Sequence, residues 1–145
     1  MKQRGRMYRL SVWLVYSGVA LMVGSGIGWL LLDSFGQQDG EFGPEKHPAQ
    51  FYLIRFHGAL AMGMMMIFGG LLATHVRHYW RKIERRTTGV ILIATWTLLM
   101  ASAYALYYAG GESLRAVAHW THIVLGLGLP IWLVVHVWKT RGEEA

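Results

Sequence analysis

Four long runs of the chain contain only apolar and uncharged residues, and short charged segments separate them. Each run has at least 21 residues, whereas about 20 residues in a helix suffice to cross the hydrocarbon core of a bilayer. The pattern therefore predicts an all-α integral membrane four-helix bundle that forms a single domain over residues 1–145. The predicted spans are 10–32, 56–76, 89–109 and 116–138, with an outer loop at 33–55 and a cytoplasmic loop at 77–88.

The composition agrees with a membrane protein and excludes several chemistries. Hydrophobic residues make up 54% of the 145 residues and charged residues only 15%, which is too apolar for an ordinary soluble domain. The net charge of +6 is collected in the loops, so we expect membrane lipid and no nucleic acid as a partner. Because the sequence has no cysteine, disulfides, iron–sulfur clusters and covalent c-type haem attachment are excluded.

Basic residues mark one side of the membrane. The N-terminal segment, the loop after the second span and the C-terminal tail are rich in lysine and arginine. The loop after the first span instead carries Asp33, Asp39, Glu41 and Glu45 against a single Lys46. By the positive-inside rule, we expect both termini and the loop 77–88 to lie in the cytoplasm of a cell in whose inner (plasma) membrane the protein is embedded. Spans two and four consequently run in the same direction, from outside to inside.

Histidine is the strong metal ligand within the spans, and its distribution is uneven. Spans one and three contain none. In span two, His57 lies near the outer end and His75 near the inner end. In span four, His119 and His122 lie near the outer end and His136 near the inner end. Steps of three and four residues connect the histidines of each span, so they share one seam of a packed helix. The two parallel helices can thus offer histidines to each other at two levels.

Polar side chains in hydrocarbon usually face the protein interior and serve a function. Zinc would need four ligands and a non-haem iron site would normally add a carboxylate, but no acid lies within any predicted span. A haem iron needs only two axial ligands, which one histidine from each of two helices can supply. The pattern therefore favours haems between helices two and four. The alternative is that each histidine only hydrogen-bonds a neighbouring helix.

Three segments, RFHGALAMG, LLATHVRHYW and THIVLGLGLPIWLVVHVW, resemble the bacterial four-helix di-haem b-type cytochrome superfamily. This resemblance implies two non-covalently bound b-type haems with His57, His75, His122 and His136 as axial ligands of the iron. Members of this superfamily link quinone, periplasmic cytochromes or redox enzymes, and we expect a periplasmic c-type cytochrome or redox enzyme subunit as a partner and quinone as a further candidate ligand. Many members of the superfamily also take a ligand from the first helix, which has no histidine here.

The outer ligand of span four stays open between two histidines. His119 is 17 residues from His136, close to the 18 residues that separate the two histidines of span two, so equal depth favours His119. The 14-residue spacing from His122 to His136 resembles that of the cytochromes and favours His122, which we take as the ligand with His119 as its rival. His47 in the outer loop and His78 at the cytoplasmic boundary are not expected to bind haem.

Three functions fit this pattern. The first is an electron carrier between a quinone or cytoplasmic-side partner and a periplasmic redox protein. The second is a quinone-linked oxidoreductase that acts on a small oxidant such as superoxide or ferric iron at the outer face, where Arg55 and Arg115 could attract an anion. The third is a scaffold subunit whose histidines are structural. We expect the carrier, with no catalytic residue, because an iron with two histidine ligands has no open coordination position.

The predicted orientation can be tested with reporter fusions. Alkaline phosphatase fused after Ala145 should be inactive, because the C-terminus is predicted to be cytoplasmic. The same enzyme inserted between Gly40 and Glu41 of the outer loop should be active. Phosphatase activity in living cells measures both, and an active Ala145 fusion together with an inactive loop insertion would reverse the predicted orientation.

Overall fold

The structure, a computed structural model, describes the backbone of residues 2–41, 43–77 and 86–142 and the side chains of 12–41, 43–77 and 87–139. Its helices are α1 (Lys2–Phe35), α2 (Ala49–Leu71), α3 (Arg86–Tyr108) and α4 (Glu112–Gly142). A π-helix, Leu72–Val76, continues α2, and the antiparallel strands β1 (Gln38–Gly40) and β2 (Gly43–Glu45) form a hairpin after α1. Most of the predicted cytoplasmic loop, including His78, lies outside the described residues.

Among the residues that the structure describes, four helical segments are long and apolar enough to cross a membrane, which agrees with the predicted number of spans and with a multi-pass membrane protein. They are Val12–Phe35, Ala49–Val76, Thr87–Tyr108 and Glu112–Lys139. The predicted spans start and end within a few residues of these bounds, except that the second helix begins at Ala49 instead of Phe56. Hydropathy alone missed this extension because its sequence, Ala49–Arg55, contains polar residues.

The early start of α2 has a local cause. The Nδ1 atom of His47 accepts the backbone N–H of Ala49 at 3.1 Å, and the backbone oxygen of His47 accepts the N–H of Gln50 at 2.9 Å. These bonds satisfy amide groups that have no partner within the first turn of a helix. Pro48, whose backbone is already restricted to a helix-compatible φ, follows the capping residue. His47 therefore caps α2.

The chain divides into two compact units, Met1–Leu71 and Leu72–Ala145. In the first unit, α1 and α2 pack against each other in antiparallel directions. Gly18 lies against the sulfur of Met64, whereas Gly28, ten residues later, lies against Leu53. At Gly18 the missing side chain lets the two helices approach closely. In the second unit, α3 and α4 form the other antiparallel pair.

Polar contacts join the end of α1 to the start of α2. The side-chain amide of Gln50 donates to the Oδ1 atom of Asp33 at 3.1 Å, and the Nζ atom of Lys46 lies 4.0 Å from the same oxygen. Lys46 also lies 5.8 Å from the centre of the Trp29 ring. Asp33 is thus engaged within the loop, and the acidic side chains that remain exposed around the hairpin are Asp39, Glu41 and Glu45.

Few apolar side chains are buried within the described part of the protein. The buried ones are Val19, Met64, Phe68, Ala118 and Leu129. Large apolar side chains on the spans, by contrast, are widely exposed, and Met66 has 79% of its surface accessible. Such surfaces are stable in hydrocarbon and costly in water. The amount of exposed apolar surface therefore agrees with membrane-spanning helices.

The close approach at Gly18 generates a stability prediction. We expect Gly18→Leu to destabilise the first unit by about 1–3 kcal/mol, because a side chain there would overlap the buried Met64. Gly24→Leu is the matched control, since a Cβ atom at Gly24 meets no atom within 4 Å. Unfolding in detergent micelles measures the difference. Adding Met64→Ala to Gly18→Leu should restore part of the loss, and equal effects of the two leucines would contradict the packing argument.

Candidate functional site

His57 of α2 is held by a serine of α1. The Oγ atom of Ser25 lies 2.9 Å from Nδ1 of His57 and donates its own proton to the backbone oxygen of Met22 at 3.0 Å. When this proton goes to Met22, the serine can only accept from the imidazole, because a hydroxyl group has one proton. In that arrangement Nδ1 of His57 carries the ring proton and Nε2 the lone pair.

His122 of α4 has the same arrangement with α3. The Oγ atom of Ser102 lies 3.0 Å from Nδ1 of His122 and donates to the backbone oxygen of Leu99 at 3.0 Å. When the proton of Ser102 goes to Leu99, the ring proton of His122 is likewise on Nδ1 and the lone pair on Nε2. Because the two nitrogens of an imidazole point in diverging directions, the Nε2 lone pair is directed away from the serine.

His136 is held by a threonine at the other end of the same helix pair. The Oγ1 atom of Thr88, in the first turn of α3, lies 2.8 Å from Nδ1 of His136. Either atom can donate the proton of this bond. His136 therefore matches His57 and His122 in the ring nitrogen that contacts the neighbouring helix.

These hydroxyls account for most of the buried polar side chains in the described part of the chain. The buried polar residues are Ser25, Gln50, Thr88, Thr95 and Ser102. Three of the five contact a histidine, and these three lie on α1 and α3, the helices without a histidine in their spans. The histidine-free helices thus supply the partners of the histidines.

Sequence reasoning missed these hydroxyls, although a signal for two of them was present. Antiparallel helices joined by a short turn bring together residues that are equally distant from the turn. Ser102 and His122 are each 10 residues from Glu112, and Thr88 and His136 are each 24 residues from it. A search for hydroxyl and histidine residues mirrored about the predicted turn would have found both pairs.

A glycine follows the hydroxyl residue in two of the three pairs and leaves room beside the imidazole. A Cβ atom placed on Gly26 would lie 3.5 Å from Cε1 of His57, and one placed on Gly89 would lie 3.9 Å from Cε1 of His136. The dipeptides Ser25–Gly26 and Thr88–Gly89 thus play equivalent parts in the two units.

The remaining histidines differ from these three. His75 is exposed and lies in the π-helix Leu72–Val76, a rare geometry that often occurs at functional sites. The ring of His119 makes an edge-on contact with the ring of Trp120, at 5.6 Å between centres. Among the described residues it makes no hydrogen bond. The pairing of His57 with His122 and of His75 with His136 stays a prediction.

Among the described residues, no group of three or more histidine, cysteine, aspartate or glutamate side chains could hold a metal ion. The two outer arginines are exposed, and the guanidinium group of Arg55 lies 3.8 Å from the centre of the Phe51 ring. This stacking leaves Arg55 at the surface of α2, as expected for an arginine near the headgroup level.

Comparison of the chain with protein-family models, curated proteins and solved structures gives no match. The predicted relation to di-haem cytochromes therefore stays a prediction.

The bond between Ser102 and His122 should contribute to the stability of the second unit whether or not a cofactor is bound. A double-mutant cycle of Ser102→Ala and His122→Ala should give a coupling energy of about 0.6 kcal/mol, and at most about 1.7 kcal/mol, as for hydrogen bonds between membrane helices. The matched cycle pairs Thr95→Val with His122→Ala, because Thr95 bonds the backbone oxygen of Ile91 in its own helix. Equal coupling in both cycles would contradict the assigned bond.

Proposed function

We propose that the protein is a di-haem b-type cytochrome subunit of a bacterial inner membrane. His57 and His122 would be the axial ligands at the outer level, and His75 and His136 those at the inner level. The protein would transfer electrons between a quinone or a cytoplasmic-side partner and a periplasmic redox protein. Both termini would lie in the cytoplasm, as the distribution of basic residues predicts.

The observation that carries the proposal is the common anchoring of three proposed ligands through Nδ1. Histidines that bind a metal through one nitrogen generally hydrogen-bond with the other, which fixes the orientation of the ring. His57, His122 and His136 each have Nδ1 within 3.0 Å of a hydroxyl oxygen. In His57 and His122 the tautomer protonated at Nδ1 leaves the lone pair on Nε2, the state that an iron ligand requires. The residues therefore fit the haem groups that the sequence suggests.

The same criterion supports His122 over its rival. Ser102 orients His122, whereas the described part of the chain offers His119 only a ring contact with Trp120. An axial ligand with an oriented ring loses less conformational entropy when the iron binds. We therefore retain His122 as the outer ligand from α4 and assign His119 no bond to the iron.

The helices of this chain supply an apolar, water-excluding environment, and their histidines hold and orient the cofactors. A bound haem would add one-electron chemistry, with its potential set by burial and by hydrogen bonds to the ligands. The exposed acids Asp39, Glu41 and Glu45 around the outer hairpin suit a partner with a basic contact surface, such as a c-type cytochrome.

The same hydrogen bonds support a second candidate, a scaffold subunit. Each bond between an imidazole and a hydroxyl joins two helices, and such bonds can stabilise a membrane protein without any cofactor. Haem content separates the two functions.

The cytochrome proposal predicts two haems per chain. Reduced-minus-oxidised spectra of the purified protein should contain the α-band of a b-type haem, and pyridine haemochrome analysis should give two haems per chain. His136→Ala and His57→Ala should each remove one haem. His47→Asn is the matched control and should retain both, because Asn can cap α2 in place of His47. A protein without haem would leave the scaffold function.

The choice of outer ligand predicts a difference between neighbouring histidines. His122→Ala should lose the outer haem or make it high-spin, because an axial bond is removed. His119→Ala should retain two low-spin haems, since no bond to iron is assigned to His119. Electron paramagnetic resonance of the oxidised protein distinguishes the spin states. Loss of a haem in His119→Ala, with two low-spin haems in His122→Ala, would make His119 the ligand.

A further inference from the structure

The three hydroxyl residues that contact histidines are buried. Ser25, Thr88 and Ser102 have only 6%, 8% and 6% of their surface exposed. Because these hydroxyls are themselves buried, removing one takes a hydrogen-bonding group away from the Nδ1 atom that it contacts.

A buried hydroxyl in these helices does not need a histidine for its own hydrogen bond. Thr95, with 5% of its surface exposed, donates to the backbone oxygen of Ile91 at 2.8 Å. Ser25 and Ser102 likewise donate to Met22 and Leu99 of their own helices and contact an imidazole in addition. Each serine hydroxyl thus already has a hydrogen-bond partner in its own helix, and the contact with the imidazole is an additional hydrogen bond.

We propose that Ser25, Thr88 and Ser102 are positioning residues that fix the ring orientation of His57, His136 and His122 and set the strength of each as an iron ligand. The proposal rests on the proposed haem-binding function. It adds that the helices without ligands tune the redox potentials of the haems.

The hydrogen bonds predict in which direction the hydroxyls shift the midpoint potential of each haem. An acceptor at Nδ1–H draws the proton away from the ring and makes Nε2 a more basic ligand. The backbone oxygens of Met22 and Leu99 polarise the serine hydroxyls, and such chains of hydrogen bonds strengthen one another. A more basic ligand stabilises ferric over ferrous iron. Loss of the hydroxyl should therefore raise the midpoint potential of the haem that the histidine binds.

The test compares each positioning residue with a hydroxyl residue of the same helix that contacts no histidine among the described residues. Ser25→Ala is compared with Ser17→Ala, because Ser17 bonds only backbone oxygens of α1. The α3 variants Thr88→Val and Ser102→Ala are compared with Thr95→Val. Redox titration of the α-band measures the potential of each haem, and electron paramagnetic resonance of the ferric protein reports the ligand orientation.

We expect each positioning variant to keep two haems and to raise one of the two potentials. A tenfold weaker preference for ferric iron corresponds to about 59 mV for a one-electron couple. Each variant should shift the potential of the haem whose ligand the hydroxyl contacts, which is the haem lost when that histidine is substituted. The contacted histidines are His57 for Ser25, His136 for Thr88 and His122 for Ser102. Ser25→Thr and Ser102→Thr keep the hydroxyl and should return the potential toward that of the original protein.

Two results would overturn this inference while leaving the haem-binding function intact. In the first, the midpoint potentials of both haems are the same in each positioning variant as in its matched control. The positioning variants are Ser25→Ala, Thr88→Val and Ser102→Ala. The other is an equal shift of both haems by each variant, which would indicate a general loss of packing. Absence of haem from the original protein is a different outcome, because it overturns the proposed function itself.

Discussion

The packing of each helix pair depends on one constraint, that an imidazole enclosed between two membrane helices needs a polar partner. Burying an unsatisfied polar group costs several kcal/mol in an apolar medium. This protein meets the constraint across helix pairs. Ser25 of α1 contacts His57 of α2, and Ser102 of α3 contacts His122 of α4. Since each contact joins neighbouring antiparallel helices, the groups that carry the proposed chemistry also hold each helix pair in register.

The helices fall into two groups with different side chains. The histidine-bearing helices α2 and α4 offer candidate ligands, whereas α1 and α3 offer buried hydroxyls and glycines. Gly26 and Gly89 leave space beside the imidazoles of His57 and His136. A ring held at Nδ1 and given room at Cε1 is oriented before any cofactor binds, which lowers the entropy lost on binding. The helices without ligands thus have a direct part in the proposed haem sites.

The two ends of the histidine-bearing helix α2 differ in backbone geometry. At its start, His47 caps an ordinary α-helix, whereas its continuation Leu72–Val76, which contains His75, is a π-helix. The wider turn of a π-helix advances fewer degrees per residue than an α-helix. His75 is therefore displaced around the helix axis from the position that a continuous α-helical seam through His57 predicts. Such a displacement re-aims one proposed ligand without changing its depth greatly.

The sequence by itself determined the membrane class, the four spans and the histidines that are candidate ligands, because hydrophobic run length and isolated polar residues are local properties. It could not predict the start of α2 at Ala49, which depends on a capping bond from His47. The partners Ser25, Thr88 and Ser102 were also missed, because serine and threonine are common in membrane helices and only the packing of antiparallel pairs brings these three to a histidine. Tertiary structure alone decided which nitrogen of each imidazole contacts a neighbour, since that choice depends on where the partner helix lies.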